Sequence, residues 1–316
     1  MRSTSGFALL ALTVAAAAVA GCGNDGAAQS GRPQVVASSY PFGFVVERVG
    51  GDVIDVQNLT APGQEPHDLE LSPRQLADLI EADMVVYLGD FQPAVDDGLV
   101  EADLPPDAVL DVAQVVDVEV TGFSTEHGDE EHAEEVDDHG AEGESDPHVW
   151  LDPVRMVGIA AAVRDHLIAM DPAHERTYRD NAAALTRELE DLDAAYRDRL
   201  ARCERRTIVT GHAAFAYLAD RYDLTQVAIA GIDPSTEPTP AQQAEVADLV
   251  DSEGITTVFT EALVPSDVAE SIADETGVRL ARLDPIEGLS DDTADQTYLT
   301  LMEANLAAIE EANGCS

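Results

Sequence analysis

Three histidines stand in settings that invite chemistry, each just beyond a strand-like run or at the edge of a folded block. His67 lies in Pro62-Gly63-Gln64-Glu65-Pro66-His67-Asp68, His148 in Asp146-Pro147-His148-Val149-Trp150-Leu151-Asp152-Pro153, and His212 in Thr210-Gly211-His212-Ala213. Near the C terminus, Leu283-Asp284-Pro285-Ile286-Glu287-Gly288 offers two carboxylates. Three imidazoles and one carboxylate suit a tetrahedral divalent metal, with zinc–nitrogen bonds of about 2.0–2.1 Å. Taken singly, a strand-end histidine is an ordinary hydrogen-bonded residue, and His166 and His174, on helical stretches, are assigned that role. An enzyme reading finds little support: there is no His-Glu-x-x-His pair on a helix and no Ser-His-Asp arrangement beside the cluster.

Such scattered residues need a fold to gather them. From Gln34 to about Val120, β-branched runs (Val35 to Ser38, Val53 to Leu59, Met84 to Leu88, Ala108 to Val112) alternate with helical patterns at Phe44 to Val49 and Pro73 to Ala82, the latter with Ser72 as N-cap and proline at its first position. A second set follows, with strands at Thr207 to Thr210, Gln226 to Ala230, Thr256 to Thr260 and Val278 to Leu283, and helices at Ala213 to Arg221, Pro240 to Ser252 and Ser266 to Glu275. This alternation predicts two similar α/β lobes with parallel sheets. In such sheets ligands bind outside the carboxyl ends of the strands, where the three histidines fall. Between the lobes, Tyr178, Ala182, Leu185, Leu189, Leu192 and Tyr196 recur every three or four residues, one stripe of a long helix. About thirty residues would run roughly 45 Å, a stiff spine for both lobes. The expected organisation is a leader over 1–21, a tether over 22–33, a first lobe over 34–150, spine helices over 151–205 and a second lobe over 206–316.

One tract fits neither lobe. Glu126 to Asp146 holds eleven acidic residues, three glycines and His127, His132 and His139. It cannot bury enough apolar surface to offset its ordering entropy, so a disordered loop over 123–146 is expected, its histidines forming a weak auxiliary metal site. At the other end of the chain, Arg2 is followed by an apolar run from Phe7 to Ala20, too short for a bilayer core of about 30 Å. It reads as a signal peptide closing in Val19-Ala20-Gly21-Cys22, which resembles a lipobox, so Cys22 is the expected lipidation site. Export permits a disulfide between Cys203 and Cys315, the alternative being two separate buried thiols. All 17 basic residues are arginine, and the formal charge of −45 excludes nucleic acid as a natural partner while concentrating cations. Adaptation to a salty medium would produce the same excess, so charge alone decides no function.

In order and spacing, the Pro66-His67-Asp68 turn, the segment from Asp146 to Pro153, the junction from Gly211 to Leu218 and Asp284 to Glu287 resemble the zinc- and manganese-binding receptors of bacterial ABC importers, over essentially the whole mature chain. The resemblance implies a metal site in the cleft between lobes, an ABC permease and its ATPase as partners, a monomer, and anchoring to the outer face of the cytoplasmic membrane. Histidine at the third ligand position, His212, is typical of zinc-type members, as is a His-rich loop before the second ligand; manganese-type members usually have glutamate there. Imidazole also favours zinc over manganese. The implied ligands are His67, His148, His212 and Glu287 for Zn(II), with Asp284 as the alternative carboxylate or as a hydrogen-bond acceptor for a ligand histidine. A manganese receptor, a metal-binding adhesin and a zinc hydrolase are the competing readings.

Overall fold

A computed structural model of the chain describes residues 31–118, 120–121 and 144–316. Cys22, His127, His132 and His139, and with them the leader, the tether and most of the acidic tract, lie outside the described residues. The first lobe runs β1 (Gln34–Ala37), α1 (Tyr40–Gly50), β2 (Asp55–Asn58), α2 (Pro73–Ile80), β3 (Met84–Tyr87), α3 (Pro93–Ala102) and β4 (Val109–Asp111). Its sheet is parallel with order β2-β1-β3-β4. Ser72 closes a capping box with Gln75 at the head of α2, as its position before Pro73 predicts.

Two short strands, β5 (Val120–Thr121) and β6 (Glu144–Ser145), pair antiparallel across the acidic tract. The expected loop over 123–146 therefore ends early: the backbone is already paired at Glu144, and Asp146 is buried. The spine follows as α4 (Pro153–Met170), a short 3-10 turn from Pro172 to His174, and α5 (Glu175–Arg199). Every residue of the six-member stripe on α5 is buried, against α1, α4 and α9. Asp171 and Pro172 set the start of α5, so its 25 residues give about 38 Å rather than the longer span expected.

The second lobe runs β7 (Thr207–Thr210), α6 (Ala216–Arg221), β8 (Thr225–Ala228), α7 (Pro240–Glu253), β9 (Thr257–Thr260), α8 (Asp267–Thr276), β10 (Arg279–Arg282) and α9 (Tyr298–Asn313). Its parallel order, β10-β9-β7-β8, again sets the first strand between the second and third. In each sheet the order of strand addition therefore reverses beside the first strand, the crevice where α/β sheets receive ligands. Helices α3 and α9 were not anticipated. A disulfide joins Cys203 to Cys315 and fastens the end of α9 to the connection leaving the spine. His166 bonds the Ala162 carbonyl one turn back, and His174 pairs with Asp171, both in local structural roles.

Candidate metal centre

Four chain segments deliver one side chain each to a common point. His67 sits in the turn after β2, held by Gln92 Nε2 donating to the Pro66 carbonyl at 3.1 Å. His212 follows β7 directly. Glu287 ends a turn after β10 in which Asp284 accepts the Ile286 N–H at 2.9 Å and Asn305 grips the Asp284 backbone at both its N–H and its carbonyl. Ile286 is forced to a φ of +58°, which a β-branched residue adopts only when its surroundings over-determine it.

His148 precedes α4 in a segment pinned on every side. Trp150 is fully buried and donates its indole N–H to the Pro285 carbonyl at 2.7 Å, while Tyr298 donates to the Trp150 carbonyl at 2.6 Å. Tyr217 donates to the Asp146 carbonyl, and Arg221 forks onto Asp152, the N-cap of α4. All these anchors belong to the second lobe, so His148 is braced by that lobe although it precedes the spine.

The donor atoms of His67, His148, His212 and Glu287 lie within 4.8 Å of one another. Glu287 Oε1 is 3.2 Å from His67 Nε2, 3.0 Å from His148 Nε2 and 3.4 Å from His212 Nε2, and the last two nitrogens are 3.3 Å apart. Four donors bonded to zinc at about 2.05 Å in a regular tetrahedron would have edges of about 3.3 Å. Tautomer chemistry sharpens the point. His148 Nδ1 faces Asp146 at 2.8 Å and His212 Nδ1 faces Glu261 at 2.5 Å. An ionised carboxylate can only accept, so each Nδ1 carries a proton, and when the ring is neutral its Nε2 lone pair turns inward. Lone pairs converging on a carboxylate oxygen repel unless a cation, proton or metal, lies among them.

The electrostatics agree. Burial opposes charge on His148, but its bonds to Asp146 and Glu287 more than offset it and raise the pKa above the ordinary 6.5. Burial likewise opposes charge on His212, while Glu261 and Glu287 hold its pKa well above 6.5. Burial would raise the Glu287 pKa; hydrogen bonds from the three histidines hold it well below the ordinary 4.5. Beside the cluster, burial and the charge of Glu287 push Glu65 up to about 8. Glu65 Oε1 accepts the His67 backbone N–H, while its Oε2 is buried without a hydrogen-bond partner.

Asp284 lies outside the cluster. Its carboxylate takes Arg282 and the Ile286 N–H, so it shapes the turn that aims Glu287 and touches no histidine of the site. The bracing expected of Asp284 is done by Asp146 and Glu261. Asp146 carried a signal, being two residues before His148; Glu261 carried none.

The profile of the family described as the periplasmic component A of the zinc-uptake complex matches residues 35–312. The chain belongs to this zinc-uptake component A family. Among relatives, it is 34% identical over 312 residues to the zinc-binding lipoprotein AdcA of Streptococcus pneumoniae, covering 96% of this chain and 60% of AdcA. The chain thus spans about three-fifths of the length of that relative. The Zn(II)-bound ZnuA-like domain of the S. pneumoniae AdcA superposes with a TM-score of 0.73 at 32% identity, covering 90% of this chain and 99% of the domain. The laminin-binding protein Lmb of Streptococcus agalactiae, described as bifunctional with adhesin and metal-transporting activity, gives a TM-score of 0.75 at 29% identity, covering 89% and 99%. Component A members are thus the setting in which this cluster is to be read.

Proposed function

We propose that the chain is an extracytoplasmic receptor that captures one Zn(II) between its lobes through His67, His148, His212 and Glu287 and delivers it to an ABC permease driven by its ATPase. The observation that carries this reading is the convergence of four donors from separate segments at tetrahedral spacing, with two rings held in the tautomer that turns a lone pair inward. Family membership and the zinc-binding relatives support zinc as the cargo. Imidazole donors support it too, since zinc lies above manganese in affinity for nitrogen ligands. Copper would bind such a set at least as tightly, so selection in the cell rests on availability.

The receptor acts as a monomer rather than an enzyme, tethered through lipidated Cys22 to the outer face of the cytoplasmic membrane, with 1–21 removed and 22–33 as the tether. Lobes over 34–150 and 206–316 flank spine helices over 151–205. His127, His132 and His139 form a weak auxiliary site that raises the local zinc concentration. Adhesion is the second reading, favoured by the likeness to laminin-binding proteins such as Lmb.

Titration calorimetry tests this function. The protein should bind one zinc tightly and more zinc weakly, and deleting residues 126–143 should remove only the weak class. Loss of the tight site with that deletion would overturn the cleft assignment.

A further inference from the structure

Glu261 reaches the metal centre from a different strand than the histidine it serves. It follows β9, which lies beside β7 at the point where the sheet order reverses, and its side chain is only 1% exposed. One carboxylate oxygen accepts the His212 backbone N–H at 2.8 Å, and the other accepts the ring Nδ1–H at 2.5 Å. The two bonds fix the position of the His212 backbone and the rotation of its ring together. Gly211 makes room for this grip. A Cβ at residue 211 would lie 2.6 Å from Glu261 Oε1 and 3.1 Å from the carboxylate carbon. Gly211 is not among the glycines of positive φ, so space for the carboxylate, and not backbone conformation, calls for glycine there.

We propose that Glu261, admitted by Gly211, is the positioning residue that makes His212 a strong zinc donor and thereby sets the preference of the site for zinc over manganese. The inference rests on the zinc-receptor reading above. A carboxylate on the remote ring nitrogen orients the imidazole and raises the basicity of the nitrogen facing the metal. Zinc gains more from a stronger nitrogen donor than manganese, which prefers oxygen. Glu261 touches no metal ligand atom, so its effect passes through His212 alone.

Two substitutions test this on the intact protein. Glu261→Gln keeps size and shape but sets an NH2 group against one of the two N–H donors. Gly211→Ala leaves both His212 and Glu261 in place and pushes the carboxylate away. Each should weaken Zn(II) binding by about 10- to 100-fold, the range for losing the partner of a ligand histidine. Mn(II) binding should fall less, so the zinc-to-manganese affinity ratio drops in both variants. With Co(II) as the probe, the visible absorption of the loaded site should change from that of the unsubstituted protein, because the donor atom has moved. Unchanged zinc affinity in either folded variant would overturn the proposal, as would equal losses for zinc and manganese. If Glu261→Gln fails to fold, Gly211→Ala decides alone. Absence of tight zinc binding in the unsubstituted protein would instead overturn the receptor reading.

Discussion

His67 and His212 follow strands of two sheets with the same order, yet they are held in different ways. His212 is fully buried, and Glu261 grips both its backbone and its ring. His67 keeps 9% of its side chain exposed, and Glu65 grips only its backbone N–H. Its ring rests edge-on against Phe91, with centroids 4.9 Å apart. His148 matches His212, since Asp146 accepts both its N–H groups. Three donors are thus braced by one lobe and one by the other. The difference teaches that donors of one chemical type can contribute unequally: a ring locked by a carboxylate on its remote nitrogen loses little entropy on binding, whereas the His67 ring, which packs on Phe91 and meets only Glu287 at Nε2, has more freedom to lose.

The largest expected effect breaks this comparison directly. His212→Ala and His148→Ala should each weaken zinc binding by more than about 100-fold, beyond what loss of a bracing partner does. His67→Ala should cost less than either, measured by competition with a zinc-sensitive dye. A greater loss at His67 would mean that bracing does not rank the donors.

A smaller effect separates metal binding from the stability of the empty protein. The raised pKa values of His148 and His212 mean that their protons stabilise the fold fully below pH 6.5, and that this contribution is lost as pH rises through the raised values. Glu287, with its pKa depressed, contributes above pH 4.5 and loses that contribution as pH falls through its lowered value. The metal-free protein should therefore melt at its highest temperature under mildly acidic conditions and less so toward alkaline pH. Zinc affinity should run the opposite way, rising with pH as protons leave the rings. Melting curves with and without zinc across pH 5 to 9 check both trends, and parallel trends would contradict the exchange of protons for metal.

Smaller again is the effect of Asp284. Glu287→Ala should weaken binding less than His212→Ala, because zinc can take water in place of the carboxylate. Asp284→Ala acts only by loosening the turn at Ile286, so its loss should be no larger than that of Glu287→Ala. Competition titrations rank the variants, and a larger loss at Asp284 would mean that it reaches the metal.

Much of this was legible in the residues. Short β-branched runs marked the strands most plainly at β1, β3, β7 and β9, which are largely buried and therefore mostly apolar, and less plainly at β2, β8 and β10, which carry polar, partly exposed residues. Motif context nominated His67, His148, His212 and Glu287. Glu261 was not legible: it is one of 62 acidic residues, and only the pairing of β7 with β9 brings it to His212, 49 positions away. Asp284 was misread as a brace for a histidine because adjacency along the chain says nothing about which way a turn aims its carboxylate. Helix α3 went unmarked because its acidic and small residues blur any apolar stripe, and α9 because its apolar face meets the spine and the second sheet at once.

Anomalous diffraction at the zinc absorption edge, on crystals of the zinc-loaded protein, tests the central claim most directly. One strong peak should lie about 2.0–2.2 Å from His67 Nε2, His148 Nε2, His212 Nε2 and a Glu287 oxygen. A full-occupancy peak elsewhere, or one at this point that leaves any of the three histidines unbound, would contradict it.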